Sequence, residues 1–275
     1  MVAASAHPTI RCLFCKRDSS KSRSVEHIIP ESLGNSRRIL PRGVVCDSCN
    51  NYFARKVEGP FLNSPAVKTL RFHQRVENKR GRVPSLEGMI TPGFATRVTY
   101  MPSIDLTSIA VSAEALRAIS REPQVRLMIP FTGPSPSDAI TGRFFAKVAL
   151  EAMAERLTAF PEGLSYLCDE PQLDPIRRHA RYGDQFTWPV HIRTIYGVDA
   201  SLLDENGKRI QVIHESDFLV TPVSEWYFVI AIFGVEFAIN IGDPSIDGYI
   251  EWLAGNQGRS PLYSGKNSDS GEMPS

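Results

Sequence analysis

Cys12-Leu13-Phe14-Cys15, then Val25-Glu26-His27-Ile28-Ile29-Pro30, then Cys46-Asp47-Ser48-Cys49-Asn50: these three short stretches decide how the first part of this 275-residue chain folds. Two Cys-x-x-Cys pairs separated by 30 residues suit a tetrahedral thiolate site for zinc, each pair sitting on a tight turn that offers both sulfurs to one ion. The N-terminus has no apolar stretch of signal-peptide length, so the pairs read as metal ligands and not as disulfides. A unit of about 50 residues has little core of its own. Structural zinc supplies roughly 10–16 kcal/mol of apparent folding free energy to such units.

Around these anchors the text predicts strand, loop, strand, helix. Val25–Ile29 reads as a short strand ended by Pro30, with Asn35 in the following loop. Val44-Val45 reads as a second short strand. From Asp47 onward, Tyr52, Phe53, Val57 and Phe61 fall at helical spacings. In this layout the zinc clamps the start of a hairpin to the start of a helix and holds Glu26 and His27 against Asn50.

The ordered pattern Cys-x-x-Cys, Glu-His-Ile-Ile-Pro, Cys-x-x-Cys-Asn resembles the HNH (His-Me finger, ββα-metal) endonucleases, and within them the zinc-stapled branch that includes phage endonuclease VII. The resemblance covers residues 11–63. It implies a phosphodiester hydrolase in which His27 is the general base that activates water. It also implies a catalytic divalent metal on Glu26 and Asn50, magnesium or manganese, beside the structural zinc on Cys12, Cys15, Cys46 and Cys49. Ordinary chemistry agrees: an imidazole with a pKa near 6.5 can take water's proton, and hard oxygen ligands suit a hard cation. Two positions depart from the family pattern. The central Asn falls near Arg42-Gly43 here, and Phe53 and Ala54 stand where many members carry a further His. These departures keep a second reading open, a zinc module that binds nucleic acid or a protein without cutting.

Net charge is +1, so no global field draws the chain to a polyanion. Lys and Arg nevertheless outnumber Asp and Glu more than two to one over residues 1–80, and the remainder is acidic. Arg37, Arg38, Arg42, Arg55 and Lys56 fall around the expected metal site and are the candidate phosphate contacts. The expected partner is nucleic acid, DNA first, and the resemblance makes a bacterial restriction or anti-phage role plausible.

The expected fold class is α+β. The reading divides the chain into a flexible lead-in (1–10), the HNH module (11–70), a basic linker (71–94), an α+β accessory domain (95–257) and a disordered Gly/Ser/Asn-rich tail (258–275). In the accessory part, Gly142–Leu157 reads as a helix capped by Thr141, with Phe144, Phe145, Val148, Ala149, Ala152, Met153 and Leu157 on one stripe and Lys147, Glu151 and Glu155 opposite. Strands are expected at Val125–Phe131, His191–Tyr196, Arg209–Ile213, Tyr227–Phe233 and Val235–Ile241. Cys168 reads as a buried small apolar residue. His179, within Arg177-Arg178-His179-Ala180-Arg181, reads as part of a solvated turn or as a phosphate contact. The accessory part could carry a homodimer contact or bind a regulatory partner. The longest apolar run, Trp226–Ile241, is short of the roughly 20 residues needed to span a bilayer. No membrane association and a cytoplasmic setting are expected.

Overall fold

The computed structural model describes residues 10–183, 187–203 and 206–262. All but the last residue of the N-terminal lead-in and most of the Gly/Ser-rich tail therefore lie outside the described residues. The fold is α+β. Strand β1 (Glu26–His27) pairs antiparallel with β2 (Ile39–Leu40), Glu26 opposite Leu40 and His27 opposite Ile39, and helix α1 (Asp47–Phe53) follows. The expected ββα order is present, but the second strand lies at Ile39–Leu40 and not at Val44-Val45. Gly43, at φ +89°, turns the chain there. The buried valines then lie under the first knuckle, where Leu13 N–H donates to the Val44 carbonyl at 2.8 Å. Their burial comes from the turn and not from a ladder.

After α1 the chain makes a π-helical turn (Ala54–Glu58) and then α2 (Gly59–Leu62), α3 (Pro65–His73), β3 (Leu86–Ile90), β4 (Phe94–Met101), β5 (Leu106–Ala110), α4 (Ala113–Ile119) and β6 (Leu127–Met128). The strand expected over Val125–Phe131 is only two residues long. The Arg126 N–H is taken by the Thr91 hydroxyl, and Pro130 cannot donate to a ladder. The last part holds α5 (Asp138–Leu157), α6 (Gly163–Asp169), α7 (Asp174–Tyr182), β7 (Val190–Thr194), β8 (Ser201–Leu203), β9 (Arg209–Gln211), β10 (His214–Val220), β11 (Trp226–Ile232), β12 (Val235–Asn240) and α8 (Asp247–Gly255).

Two compact units emerge. One joins residues up to Ile28, Arg37–Val57 and Ser137 onward; the other comprises Ile29–Ser36 and Glu58–Pro136. This division differs from the boundaries drawn on the sequence. The stretch read as a basic linker contains the end of α3 and all of β3, and Glu58–Pro136 forms a unit of its own. Its sheet runs β5-β4-β3-β6, and Phe72, Val83, Leu86 and Val98 form its core.

In the other unit a sheet of four antiparallel strands, β10-β11-β12-β7, in which β7 joins the edge of the β10–β12 meander, carries a core of Tyr227, Val229, Ala231, Ala238 and Tyr249. The tight β11–β12 turn needs Gly234 at φ +80°, where a Cβ would lie 2.1 Å from the Tyr196 carbonyl oxygen. Helix α5 packs on β12 and β7, with Phe145 stacked on Phe237 at 4.2 Å, and also on β2 of the N-terminal hairpin. Ser137 caps α5 in place of Thr141, its hydroxyl accepting from the Ile140 N–H, while Thr141 lies in the first turn. The helix is not amphipathic as expected. Lys147 and Glu151 are both buried, because α5 has neighbours on several sides.

Candidate active site and zinc centre

The four knuckle sulfurs lie within 4.8 Å of one another, and the Cys15 and Cys46 sulfurs are 3.7 Å apart. Zinc–sulfur bonds of about 2.3 Å in a tetrahedron put sulfurs about 3.8 Å apart, so the set fits zinc. Backbone donors aim at the cluster: the Cys46 N–H lies 3.3 Å from the Cys12 sulfur and the Cys49 N–H 3.4 Å from the Cys46 sulfur. A hydrogen bond from Cys49, with backbone N–H groups of Cys15, Cys46 and Phe14, pushes the Cys12 thiol down to about 4, while the same pairing and burial push Cys49 up. A bound cation would relieve the crowding of these sulfurs.

Two tethers set β1 against α1. The Asp47 carboxylate, in the first turn of α1, accepts from the Ser24 hydroxyl (2.6 Å), the Ser24 N–H (2.8 Å) and the Arg23 N–H (3.0 Å). These donors, Ser24's first, hold its carboxyl below the usual range. One helical turn on, the Asn50 amide donates to the Val25 carbonyl at 3.2 Å. The strand bearing His27 therefore lies against the helix bearing Asn50. His27 is half-buried. Asp47 was not singled out by the sequence reading; an acidic residue at a helix start opposite a Ser is the signal that could have found it.

Glu26 has a different setting. Successive strand residues face opposite sides, and Glu26 turns inward with 6% exposure. Its Oε1 lies 2.7 Å from the ammonium of Lys147, which is 0% exposed, and that ammonium is also 2.8 Å from Glu151, likewise 0% exposed. A residue read as part of a helix's outer face thus touches the candidate site. The donor chemistry of Glu26 and Asn50 suits a hard cation, but the Lys147 charge opposes one at Glu26.

The arginines divide as well. Arg38 is engaged inside its own unit, with Glu155 at 2.5 Å and the Ser216 hydroxyl at 2.8 Å. Arg37, Arg42, Arg55 and Lys56 are exposed. In the other unit, buried Asn35 donates to the Ile29 carbonyl at 2.7 Å, pinning the backbone two residues beyond His27. Sequence alone shows Asn35 only as a loop residue.

A zinc-capable knuckle bracing a two-strand hairpin and a helix, with a His on one and an Asn on the other, is the arrangement of a ββα-metal nuclease module. Residues 12–65 match the family model described as HNH endonuclease, which places the resemblance on that segment. No curated protein and no solved structure matches the chain significantly.

Proposed function

We propose that this chain is a metal-dependent HNH endonuclease hydrolysing phosphodiester bonds of nucleic acid, DNA first. The observation that carries the reading is the tether between β1 and α1 within the matched segment, which sets His27's strand against Asn50. His27 takes a proton from water as the water oxygen forms its bond to phosphorus, and the P–O3′ bond breaks with the leaving oxygen protonated from solvent. Magnesium or manganese, when bound, supplies charge stabilisation for the attacked phosphate. Asn50 would hold it, and Glu26 would contribute by sharing its carboxylate with Lys147. Arg37, Arg42, Arg55 and Lys56 are the proposed backbone contacts. A cytoplasmic role in restriction or anti-phage defence belongs to the same proposal.

The Glu26–Lys147 pair favours one alternative, a zinc-containing nucleic-acid-binding module without catalysis, because it occupies a candidate metal ligand. Supercoiled plasmid with magnesium or manganese separates the two. Cutting by wild type, lost in His27→Ala at unchanged zinc content and melting temperature, is the expected result. Retention of plasmid without nicking at high protein would establish the alternative, and cutting by a clean His27→Ala preparation would remove His27 as the base.

A further inference from the structure

Beside the first knuckle, within one compact unit, lies a cavity of about 480 Å³, inside the roughly 300–1,000 Å³ range of small-ligand sites. The knuckle turn supplies Lys16 and Arg17 to its wall. Helix α7, outside the matched segment, supplies Arg177, Arg178 and Arg181, and Asp174 is the carboxylate in the lining.

The lining is ordered from its base outward. Arg177 is buried and acts as a rivet: its guanidinium donates to the Leu13 carbonyl at 2.7 Å and the Leu167 carbonyl at 2.8 Å, and pairs with Asp174. Lys16, at 2.6 Å, also takes Asp174. The one carboxylate is therefore already matched by two cations. Arg181 lies 3.9 Å over the Tyr52 ring and 5.4 Å over that of Tyr182. A guanidinium stacked on aromatic faces keeps its in-plane N–H groups for acceptors such as phosphate. Arg17, Arg178 and Tyr182 are exposed. A zinc tetrathiolate carries a formal charge of −2, which accounts for part of the positive wall. Five cations against that cluster and Asp174 still leave a surplus of about two charges, the complement of one phosphate.

We propose that this cavity is a phosphate-binding site. Its ligand is a backbone phosphate of the nucleic acid, an assignment that rests on the endonuclease reading, or the phosphate of a free nucleotide. In the first case α7 extends the substrate track beyond the hairpin, and Tyr182 offers a face on which a base can stack.

The test uses the full chain and the double variant Arg17→Ala/Arg178→Ala, both exposed positions, with zinc content and melting temperature checked because Arg17 also donates to the Cys15 sulfur, and with Arg121→Ala/Arg209→Ala as a control for lost charge elsewhere. Fluorescein-labelled duplex DNA is titrated over a salt series without added divalent metal, and ATP and inorganic phosphate are titrated by calorimetry. Weaker duplex binding by the cavity variant, with a salt slope shallower by about 1–2 and no such change in the control, supports the backbone source. Unchanged duplex binding with ATP or phosphate binding lost from the variant supports the free-nucleotide source. Duplex binding at the wild-type slope, with no ATP or phosphate bound by wild type, overturns the proposal while leaving the endonuclease reading intact. Wild type that neither binds nor cuts nucleic acid fails the endonuclease reading, and the ATP and phosphate titrations then decide the cavity alone.

Discussion

Replacing Lys147 with Met keeps most of the side-chain volume and removes the charge from between Glu26 and Glu151. Both carboxylates are buried, at 6% and 0% exposure, so the substitution leaves two negative groups without the ammonium they share. Removing one partner of a buried ion pair costs about 3–5 kcal/mol. At about 2–4 °C per kcal/mol for a domain of this size, the transition that includes α5 should fall by about 6–20 °C. Calorimetry and circular dichroism at neutral pH would read the shift, with zinc content measured in the same samples. The double variant Lys147→Met/Glu151→Gln should recover part of the loss, because one of the two carboxylates that share the ammonium is then neutral. A Lys147→Met protein that melts within a degree of wild type, or a double variant whose cost is the plain sum of its singles, would refute the reasoning.

Other outcomes follow from the tethers and the knuckle. Cys46→Ser should lose its equivalent of zinc by atomic absorption and lower the melt; retained zinc with a normal melt would remove the structural role of the site. Asp47→Asn tests linkage: the Asp47 carboxyl is held below its ordinary value by Ser24 and Arg23, so its contribution is present above the unfolded pKa of about 3.9 and lost as pH falls through the lower folded value. The stability gap between wild type and Asp47→Asn, from paired denaturant titrations, should hold at neutral pH and narrow below about pH 4; a gap that widens on acidification would contradict it. Asn35→Ala leaves the buried Ile29 carbonyl without its side-chain donor and should cost about 1–3 kcal/mol in urea unfolding; a neutral result would make Asn35 a bystander.

Much of the N-terminal module is legible because its signals are local. The four-cysteine cluster and the ββα order around it follow from residue type and spacing alone. The second strand was misplaced because Val44 and Val45 satisfy a hydrophobic pattern without a ladder, and only the Gly43 turn shows why. Helix α5 is legible in the sequence, but the burial of its polar side is not. Lys147 and Glu151, four residues apart, look like a solvated i,i+4 pair, and nothing nearby in sequence reveals that Glu26, some 120 positions earlier, is the third member. Likewise, the sequence offers His179 as a solvated turn residue or a phosphate contact, yet it lies buried on α7 beside Trp188 while its neighbour Arg178 faces out. Pairings of this kind depend on topology, which periodicity does not encode.

The long reach of Lys147 also sets an order of events during synthesis. The hairpin and both knuckle turns leave the ribosome before α5, and residues 51–137 must follow them before α5 begins. At about 5–20 residues per second that interval lasts about 4–17 s. Through it the nascent chain holds all four zinc ligands and His27, but not the ammonium that neutralises Glu26 or the helix that covers β2. A chain broken off within that interval carries the four cysteines, Glu26, His27 and Asn50 but an unfinished module, so the surroundings of the candidate site are complete only once α5 has been made.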